Sequence, residues 1–141
     1  MAAPVILIMP LPASENILRA VCTDKWDGQR LSPSLFVGQN ISVSRPAIVP
    51  LGDHWDLFRK QVERPPERRL EWIAEINIGC LQELGRTHRP RSIELTVEPR
   101  PETWNPAHAE IPQNITRGLA NRILPALQRH FPSKSLTPRW T

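Results

Sequence analysis

The sequence predicts an α+β fold, a small mixed or antiparallel sheet of four to five short strands with a C-terminal amphipathic helix packed on one face. Three observations carry this expectation. Several short segments alternate apolar and polar residues, the period of a strand with one buried face. One segment near the C-terminus repeats its apolar residues at helical spacing. Strands do not alternate regularly with long helices, which argues against a doubly wound sheet, and 16 prolines among 141 residues keep the elements short.

Taken in order, Val5–Met9 reads as a short buried strand bounded by prolines, and Ile17–Val21 as an extended piece or a helical turn. Asp27-Gly28 marks a turn. Ile41-Ser42-Val43-Ser44-Arg45 alternates as a half-buried strand does and is closed by Pro46. Asp53 is placed to cap a helix over Trp55–Val62, which Pro65-Pro66 ends. Leu70–Ile78 is the clearest strand, with Trp72, Ala74, Ile76 and Ile78 on one side and Glu71, Ile73, Glu75 and Asn77 on the other. A short helix over Gly79–Leu84 follows, with Gly85 as its left-handed C-cap. Ser92–Glu98 alternates again, with Ile93, Leu95 and Val97 inward. Ala107–Ile111 is a short strand. Asn114 then caps a helix from Ile115 to about Phe131, striped by Ile115, Leu119, Ile123, Leu127 and Phe131. Pro125 inside it predicts a kink or a split. The chain is read as one domain over 1–141, with 132–141 a loose tail.

The charge is unevenly spread. Residues 1–83 carry 9 basic and 10 acidic side chains, whereas residues 84–141 carry 9 and 4. Fifteen of the 18 basic residues are arginines, whose forks match phosphate and carboxylate geometry. A basic second half suggests a polyanionic partner or an acidic protein surface. The candidate nucleic-acid contacts are Arg86, His88, Arg89 and Arg91 in one loop, Arg100 beyond the next strand, and Arg122 and Arg129 on a shared helix face, with Lys134 and Arg139 following. Such contacts would make binding salt-dependent. Trp72 is assigned to the core. Trp26, Trp104 and Trp140 fall in loops or the tail, where tryptophan can stack on bases or anchor a protein interface.

Several classes of chemistry lack their sequence signature. There is no GxGxxG, GxxxxGK or GxSxG segment. Cys22 and Cys80 are far apart and form no CxxC pair, so they read as reduced thiols of a cytoplasmic protein. Cys80 is expected to be a small buried side chain at a strand-to-helix junction. His54, His88, His108, His130 and the two cysteines show no metal-ligand spacing, so neither a metal nor a cofactor is expected. No apolar segment is long enough to span a bilayer. The one run with acid–base character is Asn105-Pro106-Ala107-His108-Ala109-Glu110. On a strand, His108 and Glu110 face the same side and form the candidate catalytic pair, with Arg19 or Ser42 near them.

The succession Arg19, Ser34-Leu35-Phe36, Ile41-Ser42-Val43-Ser44-Arg45, the strand Trp72–Ile78 and Asn105-Pro106-Ala107-His108-Ala109 before a last amphipathic helix resembles a family of small bacterial proteins of unassigned function. The resemblance covers roughly residues 17–128, and Asn-Pro-Ala-His-Ala is its most specific part. It implies no activity. An early Arg followed by a Ser in a strand also looks like ADP-ribosyltransferase-type toxins, and that likeness would place a catalytic carboxylate at Glu110.

The expectation drawn from these features is a non-catalytic binding or accessory subunit of a bacterial multi-protein system, such as a defence complex, with a protein partner and with DNA or RNA as a second candidate. One alternative is a small enzyme, a hydrolase or an ADP-ribosyltransferase-like protein, using His108 and Glu110. The other is a protein–protein scaffold or antitoxin-like protein with an apolar patch around Trp55 or Trp140.

Overall fold

The computed structural model describes residues 9–132. The expected strand at Val5–Met9 (but for Met9) and the tail from residue 133, with Lys134, Arg139 and Trp140, lie outside the described residues. Among the described residues six strands form one antiparallel sheet: β1 (Asn16–Cys22), β2 (Ile41–Ser44), β3 (Leu70–Asn77), β4 (Glu98–Pro99), β5 (His108–Ile111) and β6 (Gln128–His130), in the order β4-β5-β2-β1-β3-β6. Three α-helices among the same residues join them: α1 (Leu51–Val62), α2 (Ile78–Arg86) and α3 (Arg117–Ile123). The sheet has one strand more than the upper expectation, and β4 and β6 are only two and three residues long.

Alternation along β1 and β3 divides the core between the two faces of the sheet. Ile17, Val21, Trp72, Ala74 and Ile76 join Ile41, Val43 and Ile111 and pack with Leu81 of α2 and Leu119 and Ile123 of α3. Leu18, Cys22 and Ile73 pack with Phe58 of α1 on the opposite face. The layers are therefore α1, sheet, and α2 with α3. Ile73 is buried although its neighbours Glu71 and Glu75 are not, because α1 covers the side that the pattern alone makes polar.

Pro125 decides the C-terminal region. It has no N–H, and its ring crowds the carbonyl four residues back. Helix α3 stops at Ile123, a single 3-10 turn spans Leu124–Ala126, and the chain straightens into β6, which pairs with the edge of β3 from Ile73↔His130 to Glu75↔Gln128. The expected helix to Phe131 is thus seven residues of α-helix, a 3-10 turn and three residues of edge strand. Ile115, Leu119, Ile123 and Leu127 are buried as the stripe predicts, whereas Phe131 is 54% exposed. The cap is Thr116, not Asn114: its Oγ1 accepts from the Leu119 N–H. Helix α1 starts earlier than expected, at Leu51 after Pro50, and Asp53 lies in its first turn, where a carboxylate suits the helix dipole.

Of the expected strand Ser92–Glu98 only Glu98 joins the ladder, and residues 93–97 pair with no strand of the sheet. Their backbone is satisfied elsewhere: Ile93 N–H donates to Gly85 O, Thr96 N–H to Gln113 Oε1, and Leu95 O accepts from Gln82 Nε2. Leu95 and Val97 still point inward and are buried. Gly85 is not a left-handed cap. The helix runs through it to a cap at Thr87, and the glycine is required because a Cβ would stand 2.6 Å from Ile93 O. Gly85→Ala must push two backbone segments apart and is expected to cost about 2 kcal/mol, read from the urea midpoint at constant slope.

Candidate functional site

Strands β1 and β2 pair at a single position, Leu18↔Ser44. Beyond it the polar side chain of Arg19 satisfies backbone groups in place of a ladder. Its Nε donates to Leu35 O and its Nη1 to Ser42 O, both at 2.6 Å, and the guanidinium stands 5.7 Å over the Phe36 ring. A cleft of about 130 Å³ opens here, lined by Arg19, Cys22, Ser42, Phe58, Asn105 and His108 among others. Arg19 has no carboxylate within 4 Å among the described residues. Burial pulls its pKa down to about 10, so it remains charged at neutral pH. Burial likewise pushes the Cys22 thiol up to about 11, which keeps it protonated and unreactive.

His108 enters the cleft from β5. Its Nδ1 is 2.8 Å from Arg100 O and its Nε2 is 3.2 Å from Ser42 Oγ. A carbonyl only accepts, so Nδ1 carries the proton and Nε2 offers its lone pair to the Ser42 hydroxyl. The Glu102 carboxylate lies 3.9 Å from Nδ1, and the Trp104 ring lies 5.6 Å from the imidazole. Glu110, the expected partner of His108, does not line the cleft. It faces Arg100 at 3.8 Å instead. The side-chain hydrogen-bond partner of His108 in the cleft is therefore Ser42 rather than Glu110.

A second serine–histidine pair lies one strand period away and is sealed. Ser44 Oγ is 2.6 Å from His54 Nε2, His54 Nδ1 donates to Pro50 O at 3.1 Å, and Asn105 Nδ2 donates to Ser44 Oγ at 3.0 Å. Asn105 Oδ1 accepts from the Ala107 N–H. His54, Ser44 and Asn105 are all buried, and desolvation lowers the His54 pKa. Asn105 thus does more than enter a strand, because it ties the β5 approach to β2. The sequence signal for the two pairs was the alternation of Ser42 and Ser44, which sends both hydroxyls to one face of β2.

The candidate basic residues divide into three groups. Arg86, His88, Arg89, Arg91 and Arg122 gather around the C-terminal end of α2. Arg122 donates to Leu84 O and Thr87 Oγ1, and Arg89 donates to His88 O and Arg86 O. The contacts to Leu84 O and Arg86 O satisfy carbonyls at the negative end of the helix. Arg86 also meets Glu94 at 3.2 Å and Glu83 at 3.7 Å. Arg100 lies at the β4–β5 edge, paired with Glu98 and Glu110. Arg129 lies on β6 at the other edge, stacked over Trp26 and Trp72 at 5.1 and 5.0 Å. It shares no helix face with Arg122, because Pro125 has ended the helix between them.

Other expectations change in the same way. Trp26 is not a free loop platform, since it packs edge-to-face on Trp72 at 5.5 Å. Trp55 is half-buried against the smaller core cluster. Trp104 is 42% exposed. Cys80 is exposed rather than buried, and its N–H is held by the Asn77 side chain that caps α2. Among the described residues no three His, Cys, Asp or Glu side chains converge as metal ligands, and no helix is long and apolar enough to cross a membrane. No protein-family model matches the chain, and no significant match to it was found among curated proteins or solved structures.

Proposed function

We propose that this protein binds a small anionic group, a phosphate or a carboxylate, in the cleft between β1 and β2, with Arg19 as the receiving cation. One observation carries the reading: a half-buried guanidinium that the fold supplies with two carbonyls and, among the described residues, with no carboxylate within 4 Å. Taking a charge partly out of water without a paired counter-charge is costly, and an anionic ligand would reduce that cost. Lys25 and Arg68 also line the cleft, against one carboxylate, Asp24. The volume is below the few hundred Å³ of a site for a drug-sized molecule, which suits a phosphate or a short carboxylic acid. Titration calorimetry with inorganic phosphate and with acetate tests this. Saturable binding of either anion is expected, and heats no larger than those of chloride at the same ionic strength would exclude it.

The basic residues around α2 favour a second reading, contact with nucleic acid by an accessory subunit of a bacterial cytoplasmic system. Its support is the gathering of Arg86, Arg89, Arg91 and Arg122 around the C-terminal end of α2, reduced by the Glu83 and Glu94 contacts of Arg86. If four phosphates were neutralised, affinity for duplex DNA would fall about 100-fold between 50 and 200 mM salt. Fluorescence anisotropy with a labelled duplex reads this, and a salt-independent affinity removes the phosphate contacts.

A further inference from the structure

We propose that Ser42 and His108 form a nucleophile–base pair able to cleave a small carboxylic ester in the same cleft. Three features converge on this pair. The Arg100 carbonyl holds the proton on Nδ1, so His108 presents a lone pair to the Ser42 hydroxyl at 3.2 Å, the arrangement an activated serine requires. Both side chains line the cleft, Ser42 half-buried and His108 buried with 5% of its surface exposed. The Arg19 guanidinium donates to the backbone carbonyl of Ser42 itself, which sets a positive charge beside the nucleophile, near where the substrate's carbonyl oxygen would gain negative charge.

The neighbouring Ser44–His54 pair makes the distinction clear. It has the same tautomer logic and a shorter contact, 2.6 Å, but both side chains are buried, and Asn105 occupies the serine oxygen as a donor. Neither Ser44 nor His54 lines the cleft, so that pair is structural. Ser42 and Ser44 share one face of one strand, and what separates their roles is the cleft.

The chemistry needs only the ester and water. Ser42 Oγ bonds to the carbonyl carbon as its proton passes to His108 Nε2. The carbon–oxygen bond to the leaving group breaks, and that oxygen takes the proton from Nε2 and departs as an alcohol. Water then adds to the acyl-serine, giving its proton through His108. The acid leaves and the Ser42 hydroxyl is restored. Arg100 acts through its carbonyl, so it is a positioning residue.

The test uses the full-length protein and an uncharged fluorophosphonate probe, so its outcome does not depend on whether Arg19 holds an anion. Peptide mapping of the labelled wild-type protein is expected to place one adduct on Ser42. Ser42→Ala should abolish labelling, and His108→Gln should slow it about 100-fold, the scale of general-base assistance, with circular-dichroism melts confirming that both variants fold. Should a variant fail to fold, the wild-type map decides by itself. No adduct, or an adduct on another residue, overturns the proposal. Phosphate binding without labelling would leave the anion site standing and remove the catalytic one.

Discussion

Arg19→Met should abolish the stabilisation that phosphate confers on the wild-type protein. A ligand that binds only the folded state adds about 2.7 kcal/mol at 100 times its dissociation constant, and the variant should show none of this in a thermal melt across a phosphate series. Without ligand the variant should also lose about 2 kcal/mol, because Leu35 O and Ser42 O lose their donors. Arg19→Lys separates charge from shape. It keeps the cation but cannot present Nε and Nη1 together to two carbonyls, so its phosphate affinity should fall at least about tenfold. Undiminished binding by Arg19→Met would place any anion elsewhere.

The sealed network predicts the second large effect. Ser44→Ala leaves His54 Nε2 and Asn105 Nδ2 without the hydroxyl that joins them. An unpaired buried polar group costs about 1–3 kcal/mol, so the loss should be about 3 kcal/mol by chemical denaturation. The same network makes stability pH-dependent. Burial lowers the His54 pKa in the folded state relative to its ordinary value near 6.5. Between the two values the unfolded chain binds more protons than the folded one. Stability therefore rises with pH through that interval, is fully present above about 6.5, and falls as the pH drops below it. His54→Gln should be less stable at pH 7 but should flatten the slope between pH 7 and 5. An unchanged slope in the variant would assign the dependence to another group.

The parts of the fold legible in the sequence were those with a local period. The alternation at Ile41–Ser44 and Leu70–Asn77 marked strands, and the spacing of Ile115, Leu119, Ile123 and Leu127 marked residues that are buried. The same stripe misled about conformation after Pro125, because an open edge of β3 offered Gln128–His130 a ladder that no local pattern announces. Leu95 and Val97 were read inward correctly, but their backbone partners come from α2 and from Gln113. Gly85 was legible as special and was misassigned, since close approach by Ile93 and a left-handed cap call for the same residue.

The candidate site was legible in its members rather than in its pairings. His108, Ser42 and Arg19 were all named from sequence, but strand alternation pointed His108 to Glu110. The ring bonds instead to a serine 66 residues earlier and to the carbonyl of Arg100. The basic half was equally visible as composition. Which arginines meet carboxylates, which cap α2 and which stack on tryptophan depends on residues from separate segments.

By itself, the sequence determined the fold class, the strands β2, β3 and β5 and the faces they bury, because side-chain periods of 2 and 3.6 act between near neighbours. Tertiary structure decided the split of the last helix, the cleft where β1 and β2 diverge, and the separation of Ser42 from Ser44 into an accessible and a sealed hydroxyl. Those outcomes rest on sheet register and on packing between segments distant in the chain, which no local period encodes.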